Sequence, residues 1–171
     1  MTKRVRMRRL APVALLFALA LLSACGFHLR GTGAEKVRLP PTYLAGNAVG
    51  LKQEVRRYLA IVQAPVVDNK KDAQLVITLL AEQVQRRVLS VDSTGRVNEY
   101  EVDYTATFSA TRPDGRVVVA PDTLTQQGSY TFNQAEVLAK NEEEERLVQD
   151  MRRQAVQRLM LRVQAKLKQP P

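Results

Sequence analysis

The 171-residue chain has one cysteine, one histidine and no tryptophan. A lone Cys25 excludes an intrachain disulfide and a CxxC redox centre. One Cys with one His falls short of the four nitrogen or sulfur ligands of a structural zinc site. GxSxG, P-loop, HExxH and GxGxxG motifs are all missing, as is any His paired with a carboxylate. No cofactor is expected, and the chain reads as a non-enzyme. The acidic run Glu142–Glu145 does not change this. Consecutive helical residues point in different directions, and acids toward a helix start are an ordinary dipole feature.

What is present begins with charge. Lys and Arg number 26 against 17 Asp and Glu, a formal +9. Residues 1–24 hold Lys3, Arg4, Arg6, Arg8 and Arg9 with no acid, so the remainder is only about +4. The apolar run Leu10–Leu22 that follows is too short to span a bilayer, which takes roughly 20 residues, and reads as a secretory signal peptide. It ends in Leu22-Ser23-Ala24-Cys25, which resembles the lipobox of bacterial lipoproteins. A thiolate is the nucleophile that step requires, because it alkylates to a stable thioether. The expected organisation is therefore a signal peptide over 1–24, removed, and a lipid-anchored tether over 25–33. Cys25 would carry a diacylglycerol and an N-acyl chain. A single domain over 34–171 completes it. Gly26 rather than Asp after the cysteine resembles the pattern of outer-membrane lipoproteins. His28 lies in the Gly-rich tether and reads as a packing residue near the membrane. An exported, anchored domain of such small net charge has no use for nucleic acid.

At 45% hydrophobic and 25% charged residues, the rest is a folding globular chain. Lys36–Leu39 reads as a short strand closed by Pro40-Pro41. Leu51, Val55, Leu59 and Val62 fall at helical spacing from about Asn47, and Pro65 closes that helix. Gln74–Ala81 reads as a strand buried on both faces or nearly so, continuing through Val84, Val88 and Val91 to a turn at Ser93-Thr94-Gly95. Tyr100, Val102, Tyr104, Ala106, Phe108 and Ala110 alternate with polar residues, the pattern of a one-sided strand. Arg112–Arg116 forms a turn through Pro113 and Gly115. Val117–Phe132 returns as a strand interrupted near Pro121. From Glu136 a helical stripe runs through Leu147, Met151, Ala155, Leu159, Val163 and Leu167. The expected fold is α+β: a mainly antiparallel four-stranded sheet with two helices on one face, in the order strand-helix-strand-strand-strand-helix.

The candidate binding residues are basic: Arg86 and Arg87 late in the second strand, Arg96 beyond its turn, and Lys140 near the start of the last helix. As a set they suit the phosphates of an acidic glycolipid through charge-assisted hydrogen bonds.

Cys25-Gly26-Phe27-His28-Leu29-Arg30-Gly31 is the most specific stretch of a wider similarity. With it go Ser90-Val91, Gly95 and Glu99-Tyr100, then Leu138-Ala139-Lys140, Asp150-Met151-Arg152, Ala155 and Gln157-Arg158-Leu159. In this order the chain resembles the lipopolysaccharide-assembly lipoprotein family LptE (RlpB). The resemblance implies an outer-membrane lipoprotein lodged inside the β-barrel of LptD in a 1:1 complex, plug and assembly partner of the lipopolysaccharide translocon. It also implies lipopolysaccharide binding by basic residues of the central hairpin and before the last helix. Lys140 matches the second position; Ser93 stands where the hairpin would carry a basic residue, with Arg96 nearest to it. Rival readings are a pilotin or scaffold for another outer-membrane pore, and a lipoprotein hydrolase.

Overall fold

Pro40-Pro41 leads into a strand. In a computed structural model, which describes residues 39–132 and 137–168, β1 is Thr42–Gly46. The strand expected at Lys36–Leu39 lies, except for Leu39, outside the described residues, and Leu39 itself is not in a strand. Prolines lack an N–H but keep a carbonyl, so they suit a strand entry. Pro41 O accepts Gln74 N–H at 2.8 Å and Leu75 N–H at 3.1 Å, and Pro40 O accepts the buried Thr42 hydroxyl at 2.7 Å. After β1 come α1 (Val49–Ile61), a 3-10 turn (Lys70–Asp72), β2 (Leu75–Val91), β3 (Val97–Thr111), β4 (Val117–Thr131) and α2 (Val137–Lys168). All belong to one compact unit, Lys36–Pro171.

The element order matches the sequence expectation, and the sheet needs one correction. It runs β1-β2-β3-β4; β2, β3 and β4 are antiparallel hairpin neighbours, but β1 pairs parallel with β2, Thr42 opposite Leu75 through Gly46 opposite Leu79. The sheet is therefore mixed. A crossover through α1 returns the chain to the end from which β1 began, which makes the pair parallel.

Leu51, Val55 and Leu59 bury one stripe of α1. The helix stops before Pro65 can act. Ala64 N–H reaches Leu59 O at 2.9 Å and Gln63 N–H reaches Ala60 O at 3.1 Å, with Gln63 at φ +55°. This is a Schellman ending built on Gln instead of Gly. Val102, Tyr104, Ala106, Phe108 and Ala110 of β3 are fully buried, as are Ala155, Leu159, Met160 and Val163 of α2. Together with Leu75, Ile77 and Leu79 they form one core beneath both helices. The interruption near Pro121 is present as a bulge: Phe108 faces Asp122 while Ala110 faces Val119.

The expectation for β2 holds only for its first turn of side chains. Leu75, Val76 and Ile77 are buried on both faces, but Leu80, Val84, Val88, Leu89 and Val91 are exposed. Here β2 outruns β1, and the helices do not cover it.

Candidate functional site

Two bulges in β2 decide which residues face the helices. The β2–β3 register shifts between Leu79 and Ala81, and again after Val88. Since a one-residue shift moves every later side chain to the other face, Glu82, Val84, Arg86 and Val88 turn inward, opposite the inward Ala106, Tyr104, Val102 and Tyr100. Gln83, Gln85 and Arg87 turn outward.

Glu82 is the polar centre of the inward face. Its Oε1 accepts from Tyr104 Oη at 2.9 Å and from Arg152 Nε at 2.5 Å, and its Oε2 accepts Leu51 N–H at 2.9 Å. The start of α1 has Ala48 at its cap and no side-chain cap of its own, so a carboxylate from another strand satisfies it and complements its dipole. Gly50 leaves the room: a Cβ there would lie 2.9 Å from Glu82 Oε2. Burial, then the neighbouring carboxylate, pushes the Tyr104 hydroxyl well above the ordinary tyrosine range.

Arg86 sits one turn further along the strand. Its guanidinium donates to Glu144 Oε2 at 2.8 Å and lies 4.7 Å from the Tyr100 ring centroid. Tyr130 Oη donates to the same Glu144 oxygen at 2.5 Å. Tyr130 first, then Glu144, raise the Arg86 pKa. Tyr100 in turn meets Tyr130 and Phe132 at 5.8 and 5.1 Å between centroids. The start of α2 is thus fastened to the hairpin. Beside it lies an open cleft of about 430 Å³ lined by Arg86, Asn141, Glu144, Glu145, Val148, Gln149 and Arg152.

The other basic candidates do not join Arg86. Arg87 pairs with Glu101 and Asp103 on the outward face. Arg96, 72% exposed, pairs with Asp92 at 3.0 Å in the turn. Lys140, only 17% exposed, pairs with Glu143 at 2.7 Å. Hairpin topology does place the turn, the end of β4 and the start of α2 at one end of the sheet. Each basic group there already has its own carboxylate, which an incoming phosphate would have to displace. Cys25, His28 and the segments 1–24 and 25–33 lie outside the described residues. Sequence reasoning missed Glu82, Glu144 and Arg152 as organising residues. In the sequence Glu144 reads only as one of the acids toward a helix start, and the inward turn of Glu82 depends on a bulge.

The outward face is of a different kind. Thr105, Thr107, Ser109, Thr123, Thr125, Gln127, Ser129 and Thr131 share it, linked by Thr107–Thr123 at 3.1 Å and Gln127–Asp103 at 2.8 Å. It is polar and nearly uncharged along β4.

A profile described as LptE, lipopolysaccharide-assembly, matches residues 35–163. The chain belongs to the LptE family. It is 29% identical over 152 residues to the LPS-assembly lipoprotein LptE of Photorhabdus laumondii, covering 86% of this chain and 82% of that protein. The LptE of Pectobacterium atrosepticum is 28% identical over 155 residues, covering 89% and 83%. Rare lipoprotein B of Shewanella oneidensis shares the fold at TM-score 0.60 and 30% identity, over 74% of this chain and 96% of that one. Lipoprotein B of Nitrosomonas europaea does so at TM-score 0.62 and 26% identity, over 79% and 88%. LptE membership makes this a cell-envelope lipoprotein of lipopolysaccharide assembly.

Proposed function

We propose that the chain is the plug and assembly partner of the LptD β-barrel in the outer membrane, anchored through lipids on Cys25, and that it binds lipopolysaccharide directly. The supporting observation is family membership across residues 35–163 combined with a rigid two-layer body whose outward sheet face is Thr-, Ser- and Gln-rich. The lumen of an outer-membrane barrel is polar, and a face rich in Thr, Ser and Gln suits it. Arg96 and Lys140, at one end of the sheet, are the proposed contacts for lipid phosphates, with Arg86 and Arg87 as further candidates.

The test is affinity purification of the full chain from its native envelope. LptD recovered one to one is the expected result; a preparation without the barrel overturns the plug role. Fatty-acid labelling of the same preparation should be lost in Cys25→Ala. On immobilised lipopolysaccharide at low salt, Lys140→Asp combined with Arg96→Asp should bind several-fold more weakly while melting like the parent. The difference should shrink as salt screens these charges, that of Arg96 more than that of the mostly buried Lys140. Equal binding by the folded double variant would remove these residues from the contact.

A further inference from the structure

β1 ends at Gly46, and the end is abrupt. Gly46 has φ +96°, and a Cβ on it would lie 2.1 Å from Leu79 O. There the chain leaves the sheet for α1. Beyond Leu79, among the described residues, no strand pairs with the outer edge of β2. Between its two bulges β2 keeps an unbroken register with β3 from Ala81 to Val88, a straight edge about 26 Å long at 3.3 Å per residue. Natural edges are usually guarded by Lys, Pro, a bulge within the run or inward-pointing charges. This stretch has no Lys, Pro or internal bulge; its inward Glu82 and Arg86 are already paired with Arg152 and Glu144, and its outward Arg87 with Glu101 and Asp103. In an antiparallel pair, alternate residues bond to the neighbour, so every second N–H and C=O of β2 points away from β3.

The side chains beside this edge specify what fits it. Val84 and Val88 face inward yet are 43% and 51% exposed. Both flank the cleft residue Arg86. Across the cleft, Arg86 and Arg152 are satisfied by Glu144 and Glu82. Glu145 alone of the charged lining residues has no hydrogen bond or ion pair among the described residues. The cleft therefore carries one uncompensated negative charge beside two apolar side chains.

We infer that an extended segment of the barrel partner adds to the free edge of β2 at Ala81–Val88 as a further strand, laying apolar side chains beside Val84 and Val88 and a Lys or Arg toward Glu145. This rests on the plug reading above and names the surface through which it acts. A second copy of this chain fits less well. The two-fold register that sets Val84 against Val88 also sets Arg86 against Arg86, and like charges directly opposite are destabilising. The copy also offers no spare basic residue from the paired stretch.

The experiment is amide hydrogen exchange on the full lipidated chain, alone in detergent and in complex with the barrel. Within Ala81–Val88, the alternate amides that β3 leaves free should exchange at least tenfold more slowly in the complex. Glu145→Lys, and separately Val84→Asp with Val88→Asp, should cut the recovered barrel at least fivefold while the variants melt like the parent. All these positions are exposed. A complex in which those amides exchange as in the free chain overturns the strand pairing and leaves the plug role standing. Slowing at every residue, without alternation, also overturns it, since that reports burial rather than pairing. Alternating protection in a dimer of the chain alone reassigns the edge to a second copy. A wild-type preparation without any barrel removes the plug role and this inference together.

Discussion

Glu82 joins three elements with one side chain: it caps α1, receives the Tyr104 hydroxyl and pairs with Arg152 of α2. Its side chain is 13% exposed and that of Arg152 24%. Removing the acid leaves a largely buried guanidinium unpaired, a loss that reaches 3–5 kcal/mol in full burial. Because part of this pair meets water, Glu82→Gln should cost about 2–3 kcal/mol, read as a lower urea midpoint with an unchanged m-value. At the β2–β3 turn, Asp92 accepts from the Thr94 hydroxyl and from the Arg96 and Thr94 N–H groups. In that order they hold its carboxyl far below the ordinary range. A depressed acid contributes its stabilisation above the unfolded-state pKa, near about 3.9, and loses it as pH falls through the folded value. The protection factors of the Thr94 and Arg96 turn amides should therefore hold at pH 5 and begin to fall only below about pH 4. Their chemical shifts should titrate lower still, with the depressed carboxyl of the folded turn, and turn amides already unprotected at pH 6 would contradict the assigned bonds.

At the scale of elements, two glycines separate a backbone constraint from a side-chain one. Gly46 combines positive φ with a carbonyl 2.1 Å from a built Cβ. Backbone cannot retreat there, and Gly46→Ala should cost about 3 kcal/mol or more. Gly128, on β4 beneath α2, would place a Cβ 2.6 Å from Met151 Cε and 2.9 Å from Leu147 Cδ1. These are the free ends of flexible side chains, so Gly128→Ala should cost about 1 kcal/mol or less. Thermal melts of the pair give the comparison; equal losses would mean that β1 does not end as described. The same steric closure at Gly46 releases β2 from its neighbour and creates the free edge.

At the scale of the whole molecule, one core joins both helices to all four strands, so stability should be lost in a single step. A fragment spanning Thr32 to the end should fold without its lipid, since it keeps every core residue among the described residues, which run from Leu39 onward. Leu159 is fully buried, and Leu159→Asp would bury an unpaired charge between α2 and the sheet. The expected result is a fragment without a cooperative melt, compared with a single transition in the parent. A parent-like melt would show that α2 does not pack where described. The polar sheet face, uncharged along most of β4 and carrying Glu101, Asp103 and Arg87 on β3 and β2, lies opposite the helices, and the β2 edge beside it is unfinished.

Most elements were legible in the sequence because periodicity is local. The alternation over Tyr100–Ala110 gave β3 and its inward face, the stripe Met151–Leu159–Val163 gave α2, and Pro113-Gly115 gave the second hairpin turn. Pro121 marked its bulge. The family resemblance was also written in the chain, because it rests on residue identity. Tertiary structure alone decided three matters. The parallel pairing of β1 follows from where the crossover through α1 delivers the chain, which composition does not encode. That Glu82 and Arg86 turn inward, with Arg87 outward and not the reverse, follows from the bulge at Leu80. Strict alternation from the buried Leu75, Ile77 and Leu79 would have pointed Glu82 and Arg86 to the outer face. A bulge has no signature in an unbroken apolar run, since it is selected by how β2 fits β3. The free edge, finally, depends on β1 stopping beside Leu79 while β2 continues. That is a difference in length between neighbouring strands, a property of no single segment.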